Sequence, residues 1–332
     1  MSISGVNIYA NQITLKGGDE LTLSSVQIKS YNPSADQEGQ TLTASALNNV
    51  TITSNASVDE GTDSFLFSAA TNSEISSRDR DVIISNTTFG SDHTLSDATP
   101  VTGFTVNALK GAILLTASAI KADTVLFNGD SVKVKGVSIE PTDSDKGIIT
   151  MNSASGLEVS KYSVGNKERV NSFKAYKIVF TAATDMKIED LVVDHVSDIN
   201  PTDFRATAGN QLEIANVSLN KAQTVALEAQ TLVLADMQFK AGSTVRLTSG
   251  AGVLSTPNER AQITKGWVNV LPRVMYGTYD LNKLSEQMGA FGTETGVTKG
   301  IPAAKFPDAA SAVKTATGVD LSKITISAKP AK

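Results

Sequence analysis

Apolar residues along this chain keep a two-residue beat that breaks once in the middle of an eight-residue window. Residues 212–231 read LEIANVSLNKAQTVALEAQT and residues 232–251 read LVLADMQFKAGSTVRLTSGA, and the two align without a gap. Leu212, Ile214, Val217 and Leu219 fall on Leu232, Leu234, Met237 and Phe239. Further on, Thr224-Val225-x-Leu227 falls on Thr244-Val245-x-Leu247. One unit with two strand-like pieces is written twice.

The first piece has the form Φ-x-Φ-x-x-Φ-x-Φ, where Φ is apolar. It recurs at 21–28 (LTLSSVQI), 132–139 (VKVKGVSI), 157–164 (LEVSKYSV) and 186–193 (MKIEDLVV). Imperfect copies at 45–52, 82–89 and 113–120 each carry a small polar residue at one Φ position. A window at 8–15 also fits, but it lies too close to Leu21 for both to be in phase. The second piece recurs at Thr124-Val125-x-Phe127 and Lys177-Ile178-x-Phe180.

Alternation of period two buries one face of a strand. The break, at pairs such as Ser24-Ser25, Lys135-Gly136 and Asp190 after Glu189, resets the phase through a turn, so both halves face one interior. No single unit can bury its own apolar face, so units must stack. The predicted fold is all-β: a right-handed parallel β-helix of roughly ten rungs, on the order of 50 Å long. An antiparallel sandwich also has many short strands, but its strands do not repeat one motif in register.

The solenoid is expected over residues 1–254, with polar insertions at 53–81, 90–103 and 194–210. After Ser255 the composition shifts toward Pro257, Trp267, Pro272, Tyr276, Tyr279, Pro302 and Pro307. Residues 255–332 are expected to form a small mixed cap or assembly segment. It should hold a short helix at 280–288 with Asp280 as its cap, a second after Pro307, and a final strand around Ile324 and Ile326. Exposed strand edges at the ends of a stack require such caps.

The repeats resemble the rungs of about twenty residues in filamentous-haemagglutinin-like and autotransporter-like β-helices. Together with Gly266-Trp267-Val268-Asn269-Val270 and Val274-Met275-Tyr276-Gly277, they are similar to large surface proteins of verrucomicrobial-type bacteria. That resemblance implies a secreted or surface-displayed structural role, with the chain as the mature form lacking its signal peptide, and it implies no catalytic residues.

Composition narrows the chemistry. Twenty-nine basic against 34 acidic residues give a net charge of −5, which disfavours nucleic acid, and no apolar run is long enough to insert in a membrane. With no cysteine, thiolate chemistry and disulfides are excluded, and two histidines leave little for a metal site or a triad. No cofactor and no metal is expected. Asp143-Ser144-Asp145-Lys146-Gly147 lacks the remaining acidic positions of a calcium loop and reads as a turn. The one candidate acidic site is Asp194, His195, Asp198 and Asp203, beside Glu189 and Asp190, where carboxylates near an imidazole could do acid–base work on a polysaccharide.

The expected function is a non-enzymatic extracellular structural protein, its partner a second copy of itself in a filament or coat. Val6, Ile8, Ile13 and Leu15 at one end and Ile324 and Ile326 at the other are the expected strand-exchange residues. The alternatives are an adhesin binding a glycan or cell-surface ligand through its loops, and a polysaccharide-active β-helix enzyme.

Overall fold

The computed structural model describes residues 1–10, 12–29, 41–54, 65–67, 72–89, 102–142, 147–194, 202–219, 221–239, 244–255, 274–275, 278–280 and 324–328. All regular structure among them is β. The chain divides into two compact units, Met1–Lys177 and Ile178–Lys332.

In the first unit each repeat supplies three strands, and each strand pairs in parallel with its counterpart in the next repeat. The first ladder runs through Ser2–Ser4, Leu21–Ser24, Val50–Thr53, Val82–Ser85, residues 113–116 and 132–135, and Leu157–Ser160. The second runs through Asn7–Tyr9, Gln27–Lys29, Phe65–Phe67, Thr87–Phe89, Ala119–Lys121, Ser138–Glu140 and Asn171–Lys174. The third joins Gln12–Lys16, Thr41–Ala46, Asn72–Ser77, residues 103–108 and 124–129, and Ile148–Ser153. Two of the strands make up the octapeptide and the third is the second sequence piece.

The octapeptide bends because its fifth residue is left-handed. Gly5, Ser25, Asn86, Ala117 and Gly136 have φ between 47° and 61°. One such residue cancels the alternation, so Φ side chains on both sides point inward: Leu21, Leu23 and Val26 are wholly buried and Ile28 is 1% exposed. Hydrogen bonding continues through the bend, since the N–H of Gly5, Ser25, Asn86, Ala117 and Gly136 donates to the carbonyl of Ser24, Thr53, Thr116, Lys135 and Ser160. The core of the third ladder is aromatic where Phe104 packs against Phe89 (centroids 4.5 Å apart) and edge-on to Phe127 (6.1 Å).

In the second unit, Met186–Asp194, Gln211–Leu219 and residues 231–239 form one parallel ladder. Thr202–Ala208, the start of Ala222–Phe239, residues 244–249 and Ile324–Ala328 form another. Leu212, Ile214, Val217 and Leu219 pair with Leu232, Leu234, Met237 and Phe239, and Thr224, Val225 and Leu227 with Thr244, Val245 and Leu247. This is the register read from the aligned repeats. Asp190 and Asn216 supply the left-handed bend here.

Three windows differ from expectation. The 8–15 window is divided between Asn7–Tyr9 and Gln12–Lys16, and the in-phase octapeptide is MSISGVNI, residues 1–8, whose Met1 stands twenty residues before Leu21. The 45–52 window straddles a corner: Thr41–Ala46 ends a third strand, and Val50–Thr53 begins the next repeat. In 157–164 the second half leaves the ladder, because Tyr162–Val164 and Lys167–Arg169 form an antiparallel hairpin and Asn171–Lys174 takes the vacated place. Alternation alone does not report phase when neighbouring strands all alternate.

Within the expected insertions, Phe65–Phe67, Asn72–Ser77 and Thr202–Ala208 are ladder strands. Asp280 ends the strand Thr278–Asp280, antiparallel to Ile324–Ala328. The remainder of the helix expected at 280–288, the helix expected after Pro307, and residues 143–146 lie outside the described residues.

Candidate functional site

The polar residues at Φ positions serve the stack. Thr87 and Ser118 each donate a hydroxyl to the carbonyl two residues back, Ser85 and Thr116, at 2.8 Å, and the Ser118 hydroxyl accepts the Thr87 N–H at 3.2 Å. Asn171 is wholly buried at the root of the hairpin. Its amide donates to the Ser160 carbonyl at 2.7 Å and accepts the Val137 N–H at 2.9 Å. From the end of the same hairpin, Arg169 donates to the carbonyls of Ala117 and Ser118 at 3.2 and 3.4 Å, and burial lowers its pKa from the ordinary guanidinium value. Gly136 admits this hairpin: a Cβ there would stand 2.5 Å from that of Tyr162.

A buried carboxylate ties three repeats together. Asp123, 2% exposed, accepts the Thr102 N–H at 3.1 Å, the Thr142 N–H at 3.0 Å and the Thr142 hydroxyl at 2.6 Å. Its own N–H donates to the Thr102 hydroxyl at 2.9 Å. Sequence reading did not single out Asp123, Asn171 or Arg169. All three lie outside the repeated pieces, so the alternation gave no signal for them.

Outside, Glu158 meets Lys135 at 2.8 Å and accepts from the Ser160 hydroxyl at 2.9 Å. Burial pushes its carboxyl up, but the bonds from Lys135 and Ser160 and the charges of Lys135 and Lys133 outweigh this and hold it below the ordinary glutamate value. A folded pKa below the unfolded one, about 4.3, stabilises the fold above that value and is lost as the pH falls through the folded one. Wild type should therefore exceed Glu158→Gln by less than about 1 kcal/mol at neutral pH, since the pair is partly exposed, and the gap should shrink as the pH falls below the ordinary glutamate range. Thermal melts at a series of pH values test this, and a gap independent of pH would refute the assignment.

The predicted acidic site is only partly within the described residues: His195 and Asp198 lie outside them. Asp194 ends the strand Met186–Asp194, and its carbonyl accepts the Thr202 hydroxyl at 3.4 Å. Asp203 is paired with Arg205 two residues on, at 3.0 Å. Glu189 pairs with Lys187 at 2.9 Å, and Asp190 accepts the Asn216 amide at 2.5 Å. Among the described residues no group of three or more acidic or histidine side chains could hold a metal ion.

Of the predicted assembly residues, Val6, Ile8, Ile13 and Leu15 lie in or beside strands paired on one side, whereas Ile324–Ala328, which carries Ile324 and Ile326, is paired on both sides within the chain. Ser2–Ser4, Asn7–Tyr9 and Gln12–Lys16 each pair on one side only among the described residues. The Φ residues that later repeats bury completely are open here: Met1 is 54% and Val6 43% exposed, and Ile8 is half-buried; Tyr9, at an outward position, is exposed as well. Ile13 and Leu15, in the third strand, are buried. Ile324 and Ile326 pair in register with Val245 and Leu247 of the same chain, and Ile326 also faces Tyr279. No protein-family model, no curated protein and no solved structure matches this chain.

Proposed function

We propose that the chain is a right-handed parallel β-helix of about ten rungs with a small C-terminal cap, and that it serves as a non-enzymatic structural subunit of a bacterial surface filament or coat. Right-handedness follows the rule that parallel strands joined by a crossover wind that way in about 98% of cases. The carrying observation is that, among the described residues, Ser2–Ser4, Asn7–Tyr9 and Gln12–Lys16 each pair on one side only, beside exposed Met1 and Val6. An edge of that kind is a template for strand addition, and a heterologous contact between copies propagates as a filament. The ion pairs of Asp203 and Glu189 and the Asp190–Asn216 bond favour a scaffold over a reactive centre.

Negative-stain imaging and sedimentation of the full chain test this reading. Wild type should form concentration-dependent linear assemblies. Val6→Asp combined with Tyr9→Asp, both at exposed positions, should leave single particles with unchanged circular dichroism. Wild type that stays monomeric, or a double variant that polymerises equally, would overturn it.

A further inference from the structure

On the outer side of the third ladder, in the first unit, lies a half-open depression of about 280 Å³. Thr41, Thr43, Ser73, Glu74, Gly103 and Thr105 line it. The register explains its shape. Thr43, Glu74 and Thr105 lie side by side on three adjacent strands, and in the neighbouring row, Thr41, Asn72 and Gly103, the last position has no side chain and opens a trough there. Neighbouring strands stand about 4.8 Å apart, so the three side chains of the Glu74 row span roughly 10 Å.

The polar groups here are unspent. Among the described residues the side chains of Thr41, Thr43, Glu74 and Thr105 hold no hydrogen-bond or ion-pair partner. The same face behaves differently a few residues on, where Asn152 donates to Asn128 at 2.9 Å and Asn128 to Asn107 at 3.0 Å, each amide satisfying the next. Hydroxyls both donate and accept, and a carboxylate accepts at two oxygens. Threonine methyls add small apolar patches between them. A carboxylate flanked by hydroxyls complements a vicinal diol: the diol donates both hydroxyls to Glu74 and exchanges hydrogen bonds with Thr43 and Thr105. The volume lies at the lower end of small-molecule sites and suits a single sugar ring. Among the described residues no cation lines the depression, so a uronate or sulfated sugar would bring like charge to Glu74 without compensation from them.

We propose that this trough binds one residue of a neutral glycan, with Glu74 as the principal acceptor and the gap at Gly103 admitting the ring. The site is made by the strands themselves and is independent of end-to-end assembly.

Saturation-transfer NMR and shift titration of the full chain, with hexasaccharides of β-1,4-glucose, α-1,4-glucose and β-1,4-mannose and with hexagalacturonate, test it. At least one neutral hexasaccharide should bind with Kd on the order of 1 mM, as expected for a one-ring site, and hexagalacturonate at least about tenfold more weakly. Glu74→Ala and Gly103→Val should each weaken the neutral ligand at least about fivefold, while Thr116→Val on the first ladder should not. Glu74 is exposed, so its variant keeps the test decisive should Gly103→Val fail to fold. Absence of neutral binding, equal binding by Glu74→Ala, or equal binding of the galacturonate would each overturn the proposal.

Discussion

Gly111→Ala is expected to lower stability by about 3 kcal/mol, the upper range for overpacking, and so to cost several degrees in melting temperature. A Cβ on Gly111 would fall on the carbonyl oxygen and carbon of Arg80, and 2.8 Å from the Asp81 carboxylate. Arg80 is backbone of the preceding repeat, and Asp81 is fixed there by accepting the Ala112 N–H at 2.7 Å. Neither can retreat without parting Val82–Ser85 from residues 113–116, whose pairing begins immediately after this corner. The control is Gly18→Ala, where nothing lies within 4 Å of the new carbon. That change should be neutral, or slightly stabilising through the unfolded chain. Equal melting curves for the two variants would show that the corner has slack. In the second unit Gly209 meets the Ala183 carbonyl in the same way, so Gly209→Ala should behave like Gly111→Ala.

How much of this was legible in the sequence depends on where phase is marked. The repeats at Leu212 and Leu232 carry no long insertion between their pieces, so one alignment yielded the pairings of residues 212–219 and of residues 224–229; only at Thr231, which pairs with Gly252 instead of Ala251, does the register shift. At the other end, MSISGVNI matches the octapeptide as well as 8–15 matches it, and alternation has no means of choosing. What chooses is the left-handed fifth residue, and its identity varies among Gly5, Ser25, Asn86, Ala117, Gly136, Asp190 and Asn216. Glycine and asparagine tolerate that conformation. Ala117 and Ser25 do so only because the repeats on either side hold the bend, which a single sequence does not display. Thr87 and Ser118 looked like flaws in the pattern, yet they bond to each other across adjacent repeats and explain each other's presence.

The candidate sites divide along the same line. Val6 and Ile8 were legible as part of an alternating segment, and among the described residues Asn7–Tyr9 pairs on one side only. The acidic cluster was a reading of sequence proximity, and the fold commits Asp203, Glu189 and Asp190 to nearer partners. The Glu74 trough was not legible. Thr43, Glu74 and Thr105 are separated by about thirty residues each and meet only through strand register.

Asp123 carries the largest polar effect expected in the molecule. Asp123→Ala would strand the Thr102 and Thr142 N–H groups, leave the Thr142 hydroxyl with the Thr102 hydroxyl in place of the carboxylate, and empty the space the carboxylate fills. Each buried donor left without an acceptor costs about 1–3 kcal/mol, so the total should reach about 3–5 kcal/mol even with partial relaxation. Asp123→Asn keeps one acceptor oxygen but turns a donor toward one of these N–H groups, so it should fall between wild type and the alanine variant. Thr142→Val removes one hydroxyl from a hydrogen-bonded pair of threonines 3.0 Å apart and should cost least, about 1 kcal/mol. The order of denaturant midpoints should therefore be wild type, Thr142→Val, Asp123→Asn, Asp123→Ala. Hydrogen exchange adds a local readout: the Thr102 and Thr142 amides should lose protection in Asp123→Ala beyond the global loss, whereas Val132, bonded to the Gly156 carbonyl at 3.1 Å on another ladder, should follow the global change alone. A uniform loss across all three amides would mean that Asp123 acts only as core filling. A selective loss would identify it as the clamp that holds three successive repeats in step, at the corner where the second ladder hands the chain to the third.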